Sequence, residues 1–462
     1  MKILHTKFIV LTIFIFFWNR SLPQDILGRW YSKTTLNQEE VHYLFDIRKH
    51  QGTYIGYLDI PSDNRFRVAL DSISVLNGNQ VFIQHEQLDL LFTGYINSEK
   101  LEISGKVSKD SLSNSLILSR APQVSRTQII EKPLPYVSKD VFFYNKDSTR
   151  LAGTVTIPKN GDQLKAVVLI SGSGPQDRNE EILGHKPFAV LADHLTRQGI
   201  VVLRYDDRGY GQSEGQFRPA TSRDYADDVL GAVQFLKNYE DVPISTIGLI
   251  GHSEGGNIAP MVATIDPTVS FLVLLAAPAP SNLQSYLVSL DLILKEEPEN
   301  YDRDYPLFKS VYEDMARIEN KEVLRDSLQT KFERLMTLMS EEELAEYGGA
   351  ETYLKSLVNY HTSDWYHYYL RFNVASYLKE LKIPILALNG DKDTSVEADF
   401  NLTGIETVLE NSGNTQYETM KLGNVNHFFQ VSNDAKIESV YFNQETFSKV
   451  ALVKIGKWIK EL

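Results

Sequence analysis

The stretch Ile247–Gly256, IGLIGHSEGG, decides how the chain is read. A mostly apolar run, Ile247 to Ile250, ends in Gly251-His252-Ser253-Glu254-Gly255. A serine between glycines at the end of a buried strand is either a tight turn with a capping hydroxyl or a nucleophile raised on a strained elbow between strand and helix. Gly251 and Gly255 would relieve the crowding of such an elbow. Gly256 and Ala259 would let the following helix lie close to the sheet. A G-x-S-x-G match alone is weak, so the surrounding sequence must choose.

Outward from this stretch, apolar strands alternate with helical segments. The strands read AVVLIS (166–171), IVVLRYD (200–206), TIGLIG (246–251) and FLVLLAAP (271–278). Helices are expected around 187–198 and 222–237, with another opening at Ser253. A hairpin, DVFFYN and LAGTVTI, precedes them. Continuous apolar strands separated by helices predict a mostly parallel sheet covered on both faces. The alternation stops over about 281–378, where a charged, helix-periodic segment reads as a helical cap inserted into the sheet. The sheet resumes with IPILALNGD (383–391) and YETMKLGN (417–424), and the helical FSKVALVKIGKWIKEL ends the sequence.

Residues 24–120 have another texture. YLFDIRKHQGTYIGYLDI alternates apolar and polar residues about a glycine-bearing turn, and KLEISGKV and NSLILSR continue the pattern. Short strands with frequent turns predict a small β-barrel or sandwich. Residues 121–135, APQVSRTQIIEKPLP, read as a linker, and the α/β region spans 136–462. At the N-terminus, Lys2 and Lys7 precede FIVLTIFIFFW (8–18), which is too short to span a bilayer comfortably. Residues 1–23 therefore read as an export signal, or as a tether if uncleaved, and the protein is expected in the periplasm or secreted. No later segment looks transmembrane.

Composition excludes several chemistries. The 462 residues are 42% hydrophobic and 23% charged, as in soluble globular proteins. Against 60 acidic residues stand 47 basic ones, a net charge of -13, which disfavours nucleic-acid binding. With no cysteine there is no disulfide, thiolate metal site or cysteine nucleophile. The ten histidines show no HExxH or HxxEH spacing. No cofactor or metal is expected.

If Ser253 is a nucleophile, it needs a base, and the base needs an acid. On such a sheet these follow in the order serine, acid, histidine. Asp393 lies just past the strand ILALNG, where catalytic groups collect in open α/β sheets. Asp391 and Glu397 are rivals, but Asp391 follows the Asn389-Gly390 pair and suits the shaping of that turn. His427, in GNVNHFFQ, is the one histidine downstream of Asp393. His252 is the other candidate base, but as the serine's sequence neighbour it should point elsewhere. Two backbone donors would stabilise a developing oxyanion: the N–H of Glu254 and one from the loop LISGSGPQDRNE (169–180), where Ser173 is the choice.

The blocks SGSGPQDRNE, LRYDDRGYGQSEG, GLIGHSEGG, ILALNGDKDTSV and NVNHFFQ, in this order, resemble bacterial α/β-hydrolases of the serine aminopeptidase-type or carboxylesterase group. The resemblance covers about 136–462, and SDWYHYYLRFNVASYLKELKIPIL is similar to the family's segment between cap and acid strand. The β region, with GRWY and DIPSD, is similar to an accessory domain found ahead of such hydrolases. The resemblance implies Ser253 as nucleophile, Asp393 as acid and His427 as base. It implies a turn-pinning role for Arg208, whose partner is left open by Asp207 standing where some relatives have lysine. The implied reaction is hydrolysis of small-molecule carboxylic esters through an acyl-enzyme. A serine aminopeptidase or acyl-peptide hydrolase on the same triad, with a peptide-like substrate, is the alternative; a non-catalytic binding scaffold is a third. Cap aromatics Tyr353, Tyr360, Trp365, Tyr366, Tyr368 and Tyr369 are candidates for a pocket wall, although most should be core.

Overall fold

The computed structural model describes residues 26–462 except 37–38, 51, 61–64, 86–89, 98–101, 110–111, 121–125, 162, 297, 348 and 433–438. The expected export signal and the start of the expected linker lie outside the described residues. Contacts divide the chain into two compact units. One comprises the described residues of 1–34, 44–58 and 68–121, the other 122–462 with 35–43 and 59–67.

The N-terminal strands are β1 (Gly28–Leu36), β2 (Glu39–His50), β3 (Thr53–Ile60), β4 (Arg65–Ala69), β5 (Ser72–Leu76), β6 (Gln80–His85), β7 (Leu90–Asn97), β8 (Glu102–Lys109) and β9 (Leu112–Arg120). They form a single nine-stranded sheet in the order β4-β3-β2-β1-β9-β8-β7-β6-β5. Alternation sorts its side chains: in β7, Leu90 and Phe92 are buried while Leu91 is exposed. Phe45, Leu58, Ile83, Phe92 and Leu118 are fully buried on its inner side.

The second unit is built on the hairpin β10 (Val137–Tyr144) and β11 (Arg150–Ile157), followed by β12 (Leu164–Ile170), β13 (Ile200–Tyr205), β14 (Ile244–His252), β15 (Val269–Leu275), β16 (Ile385–Gly390) and β17 (Tyr417–Leu422). The sheet order is β10-β11-β13-β12-β14-β15-β16-β17. β11 pairs antiparallel with β10 and β13, and the pairs from β13 through β17 are parallel. This is the α/β-hydrolase fold. The strands are apolar throughout because both faces are covered. In β12, Ala166, Val168 and Ile170 enter the core on one face, with α2 (Ser222–Lys237) and α3 (Glu254–Ile265). Val167 and Leu169 enter the other, with α1 (Pro187–Arg197) and the last helix, α13 (Lys449–Glu461). Pro187 opens α1, where its missing N–H costs nothing. At the start of α2, Asp224 accepts from the Thr221 N–H at 2.8 Å, a reciprocal cap.

Between β15 and β16 the chain forms α4 (Asn282–Glu296), α5 (Pro298–Arg317), α6 (Lys321–Leu338), α7 (Glu341–Glu346), α8 (Ala350–His361), α9 (Asp364–Arg371) and α10 (Ala375–Leu378). The larger of these helices enclose their own core, including Val311, Met315, Leu324, Leu328, Phe332 and Tyr366. This is the expected helical insertion. After β16 comes α11 (Ala398–Ser412), and α12 (Ser439–Phe442) precedes α13. Among the described residues, no helix is long and apolar enough to cross a membrane.

Two contacts hold the functional end of the sheet. Arg208 forms a fork on the buried Asp228 of α2, with Nε and Nη2 donating at 2.7 Å each. Its partner is therefore on a helix, twenty residues on, and is not Asp207. α3 also approaches the sheet so closely that a Cβ on Gly255 would stand 2.3 Å from the carbonyl oxygen of Ile170. Arg208→Ala should cost about 3–5 kcal/mol by leaving a buried carboxylate uncompensated. The paired change Arg208→Met with Asp228→Leu should cost clearly less; urea unfolding of both variants checks this. Gly255→Ala should cost about 1–3 kcal/mol because a backbone atom must shift; the same measurement decides.

Candidate active site

Ser253 stands at the junction of β14 and α3 with φ 52° and ψ -116°, a region that residues with a Cβ adopt at a cost. Two bonds hold it there: its N–H donates to Leu275 O at 2.8 Å, and its carbonyl accepts from Gly256 N–H at 2.9 Å. The glycines make room, since a Cβ on Gly251 would lie 2.1 Å from the carbonyl oxygen of Gly255. The positive end of the α3 dipole and its first amide, at Glu254, follow at once, an arrangement suited to a developing negative charge.

Past β16, Asp393 is buried and turned inward. Its Oδ1 accepts from the N–H groups of Ser395 and Val396 at 2.9 and 2.8 Å. Its Oδ2 lies 2.7 Å from His427 Nδ1. A carboxylate oxygen accepts, so His427 carries a proton on Nδ1, and in the neutral ring Nε2 is the nitrogen with the free electron pair. Both rivals for the acid are accounted for. Asp391 is exposed, and Glu397 caps α11 by accepting from Asp399 N–H and Phe400 N–H.

The loop 171–180 after β12 carries Ser173. It is pinned by the two acids of the DDRGYG block. Asp207 accepts from Ser171 Oγ at 2.7 Å and from Gln176 N–H at 2.9 Å. Asp206 accepts from Arg178 N–H at 2.8 Å and from Arg178 Nη2 at 2.7 Å. Burial pushes the Asp207 carboxyl well above the usual carboxylate range, opposed by those two donors. Asp207 is thus a brace for this loop, a role that its sequence position did not disclose. A Cβ on Gly172 would lie 3.2 Å from Ser253 Cβ, which brings the loop against the elbow.

Two further side chains sit in the site. Glu254 was singled out for its backbone alone, yet its buried carboxylate accepts from Ser222 Oγ at 2.5 Å and from the Trp365 indole N–H at 3.1 Å. Ser173 also hydrogen-bonds to it. Burial pushes the Glu254 carboxyl above the usual carboxylate range, and the hydroxyls and indole oppose the shift. One carboxylate therefore joins α3 to the Ser173 loop, to α2 and to the inserted helix α9. His252 directs its ring nitrogens to partners other than Ser253, and its ring centroid lies 4.9 Å from that of His427. Its Nδ1 is 2.8 Å from Glu180 Oε1 and its Nε2 is 2.9 Å from the His427 carbonyl oxygen.

Of the aromatic candidates in the insertion, Tyr366 and Tyr369 are buried and Tyr360 is half exposed. The Trp365 ring stacks on Tyr366 and Tyr369, with centroids 5.5 and 5.2 Å away. Among the described residues, no group of three or more histidine or acidic side chains is placed to hold a metal ion.

Residues 185–329 match the family described as Serine aminopeptidase, S33. The chain is similar to Esterase EstD of Thermotoga maritima, with 33% identity over 202 residues. The match covers 43% of this chain and 47% of that protein, so the chain spans about half the length of this relative. Among solved structures, the Pyrococcus furiosus esterase Pf2001 aligns over 73% of this chain and 96% of its own, with 16% identity and a TM-score of 0.43. Est1E of Butyrivibrio proteoclasticus, solved with ferulic acid bound, aligns over 70% and 98%, with 14% identity and a TM-score of 0.41. By its strand order and helical insertion the second unit has the α/β-hydrolase fold, and within it residues 185–329 are similar to the serine aminopeptidase family.

Proposed function

We propose that the protein hydrolyses small carboxylic esters through an acyl-enzyme on Ser253, with His427 as base and Asp393 as its orienting acid. The observation that carries this reading is the 2.7 Å bond from His427 Nδ1 to the buried Asp393, on the same sheet edge as the strained Ser253 elbow. His427 Nε2 takes the Ser253 proton as Oγ attacks the ester carbonyl. The Glu254 and Ser173 amides receive the oxyanion. His427 then protonates the departing alcohol, and a water activated by the same ring releases the acid. Asp393 stabilises the imidazolium formed in each half. No step calls for a cofactor.

The esterase name of the Thermotoga relative supports the ester reading. The family description favours the aminopeptidase alternative, which requires a group for a free amine. Glu254, the buried acid next to Ser253, is already occupied by Ser222 and Trp365, and this weighs toward esters. Residues 1–23 support export by their basic start and short apolar run.

Ser253→Ala should abolish turnover of p-nitrophenyl butyrate and labelling by a fluorophosphonate, with alanine p-nitroanilide left uncleaved by wild type. Anilide cleavage that disappears in Ser253→Ala would move the assignment to a peptidase. Asp393→Asn should fold normally but lose about 10⁴-fold in kcat, because an amide no longer holds the His427 tautomer. A loss below tenfold would remove Asp393 from the role.

A further inference from the structure

The proposed chemistry leaves a buried pair unused. Glu180 and His252 form an ion-pairing contact of 2.8 Å with both side chains more than nine-tenths buried. The same Glu180 oxygen accepts from Gly172 N–H at 2.8 Å. On its other side, His252 reaches the His427 carbonyl at 2.9 Å. A continuous chain of hydrogen bonds therefore runs from the loop that carries Ser173, through Glu180 and His252, to the backbone of the base.

The protons can be placed. A carbonyl oxygen only accepts, so His252 Nε2 carries a hydrogen. Nδ1 faces a carboxylate oxygen and shares one proton with it. Burial opposes a charged imidazole, but Glu180, the His427 carbonyl and Asp393 outweigh it and hold His252 above its usual range. Both ring nitrogens are thus committed, and His252 is not a competing base for Ser253.

Three separate segments must meet for the reaction: the loop 171–180, the elbow at Ser253 and the loop bearing His427. Gly172 touches the first two, and the Glu180–His252 pair spans the first and third from a ring fixed one residue before the nucleophile. Glu180 itself holds φ 51°, a costly backbone for a residue with a Cβ. The turn that imposes it is closed by Glu180 N–H to Asp177 O at 2.8 Å, with Asp177 Oδ1 accepting from Asn179 and Glu181 N–H at 3.0 Å each.

We propose that Glu180 and His252 are positioning residues that fix the separation between the Ser173 amide and the His427 ring. The inference rests on the ester-hydrolase reading for its kinetic consequence, and on the bond network alone for its structural one. A misplacement of about 1 Å at such a site costs about 100-fold in rate.

Glu180→Ala and His252→Ala should each lower kcat for p-nitrophenyl butyrate by about 100-fold, with KM within about threefold of wild type. Glu180→Gln keeps an oxygen that accepts from Gly172 N–H and faces His252 Nδ1, while removing the charge. It should recover about tenfold of the loss, and it decides the matter if an alanine variant does not fold. Independently of activity, the histidine ring signals in ¹⁵N NMR should report the link. The His427 resonances, identified by their response to Asp393→Asn, should move in Glu180→Gln and His252→Ala. Unmoved His427 resonances, or kcat within about threefold of wild type in every folded variant, would overturn the proposal. Loss of the ester reading would show itself separately, as turnover that survives Ser253→Ala while the His427 resonances still move.

Discussion

The site depends on one close approach: the backbone of α3 lies against the ends of β12 and β14 with no room for a methyl group at Gly251 or Gly255. Interiors pack as densely as crystals, so a contact made by backbone on backbone cannot be softened by a rotamer change. It fixes where the helix begins, and hence where Ser253 and the first amide of α3 stand. The positive φ of Ser253 is the local cost of this approach. The sheet core on both faces, with Val168 and Ile170 on one side and Leu169 and Ile250 on the other, supplies the burial that sustains it.

Electrostatics then arrange the loops above that edge. The acids near Ser253 are buried with different partners and have different work. Asp393 orients an imidazole, Asp207 braces a loop through Ser171 and Gln176, and Asp228 holds Arg208. Glu254 gathers hydroxyls and an indole N–H in place of a cation. A buried carboxylate is costly unless its lone pairs are filled, and each of these has its donors.

Much of this was legible in the sequence because it is local. Apolar runs between helical segments foretold the parallel sheet, and a break in that alternation foretold the inserted helices. Ser253, Asp393 and His427 each follow a strand, and strand ends can be read from a single chain. The contact between Asp393 and His427 follows from β16 and β17 being neighbours. What escaped depends on partners far apart in the chain. The partners of His252 left no local mark, because its tie to Glu180 spans 72 positions and that to the His427 carbonyl 175. Arg208 looked local to its turn, but Asp228 lies one face along a helix whose period carries no mark of a charged partner. Asp207 left the partner of Arg208 open in the sequence, whereas its oxygens accept from Ser171 and Gln176.

The bond between Trp365 and Glu254 has a consequence for how such a protein diversifies. The inserted helices carry their own core, and a module of that kind is ordinarily free to be replaced without harm to its host. Here α9 donates to the side chain of Glu254, the residue that opens α3 beside Ser253. The inserted helices and the Ser253 elbow are thereby inherited together. A helical insertion grafted from another protein would need an indole, or another donor, at that one position before its new walls could be of use.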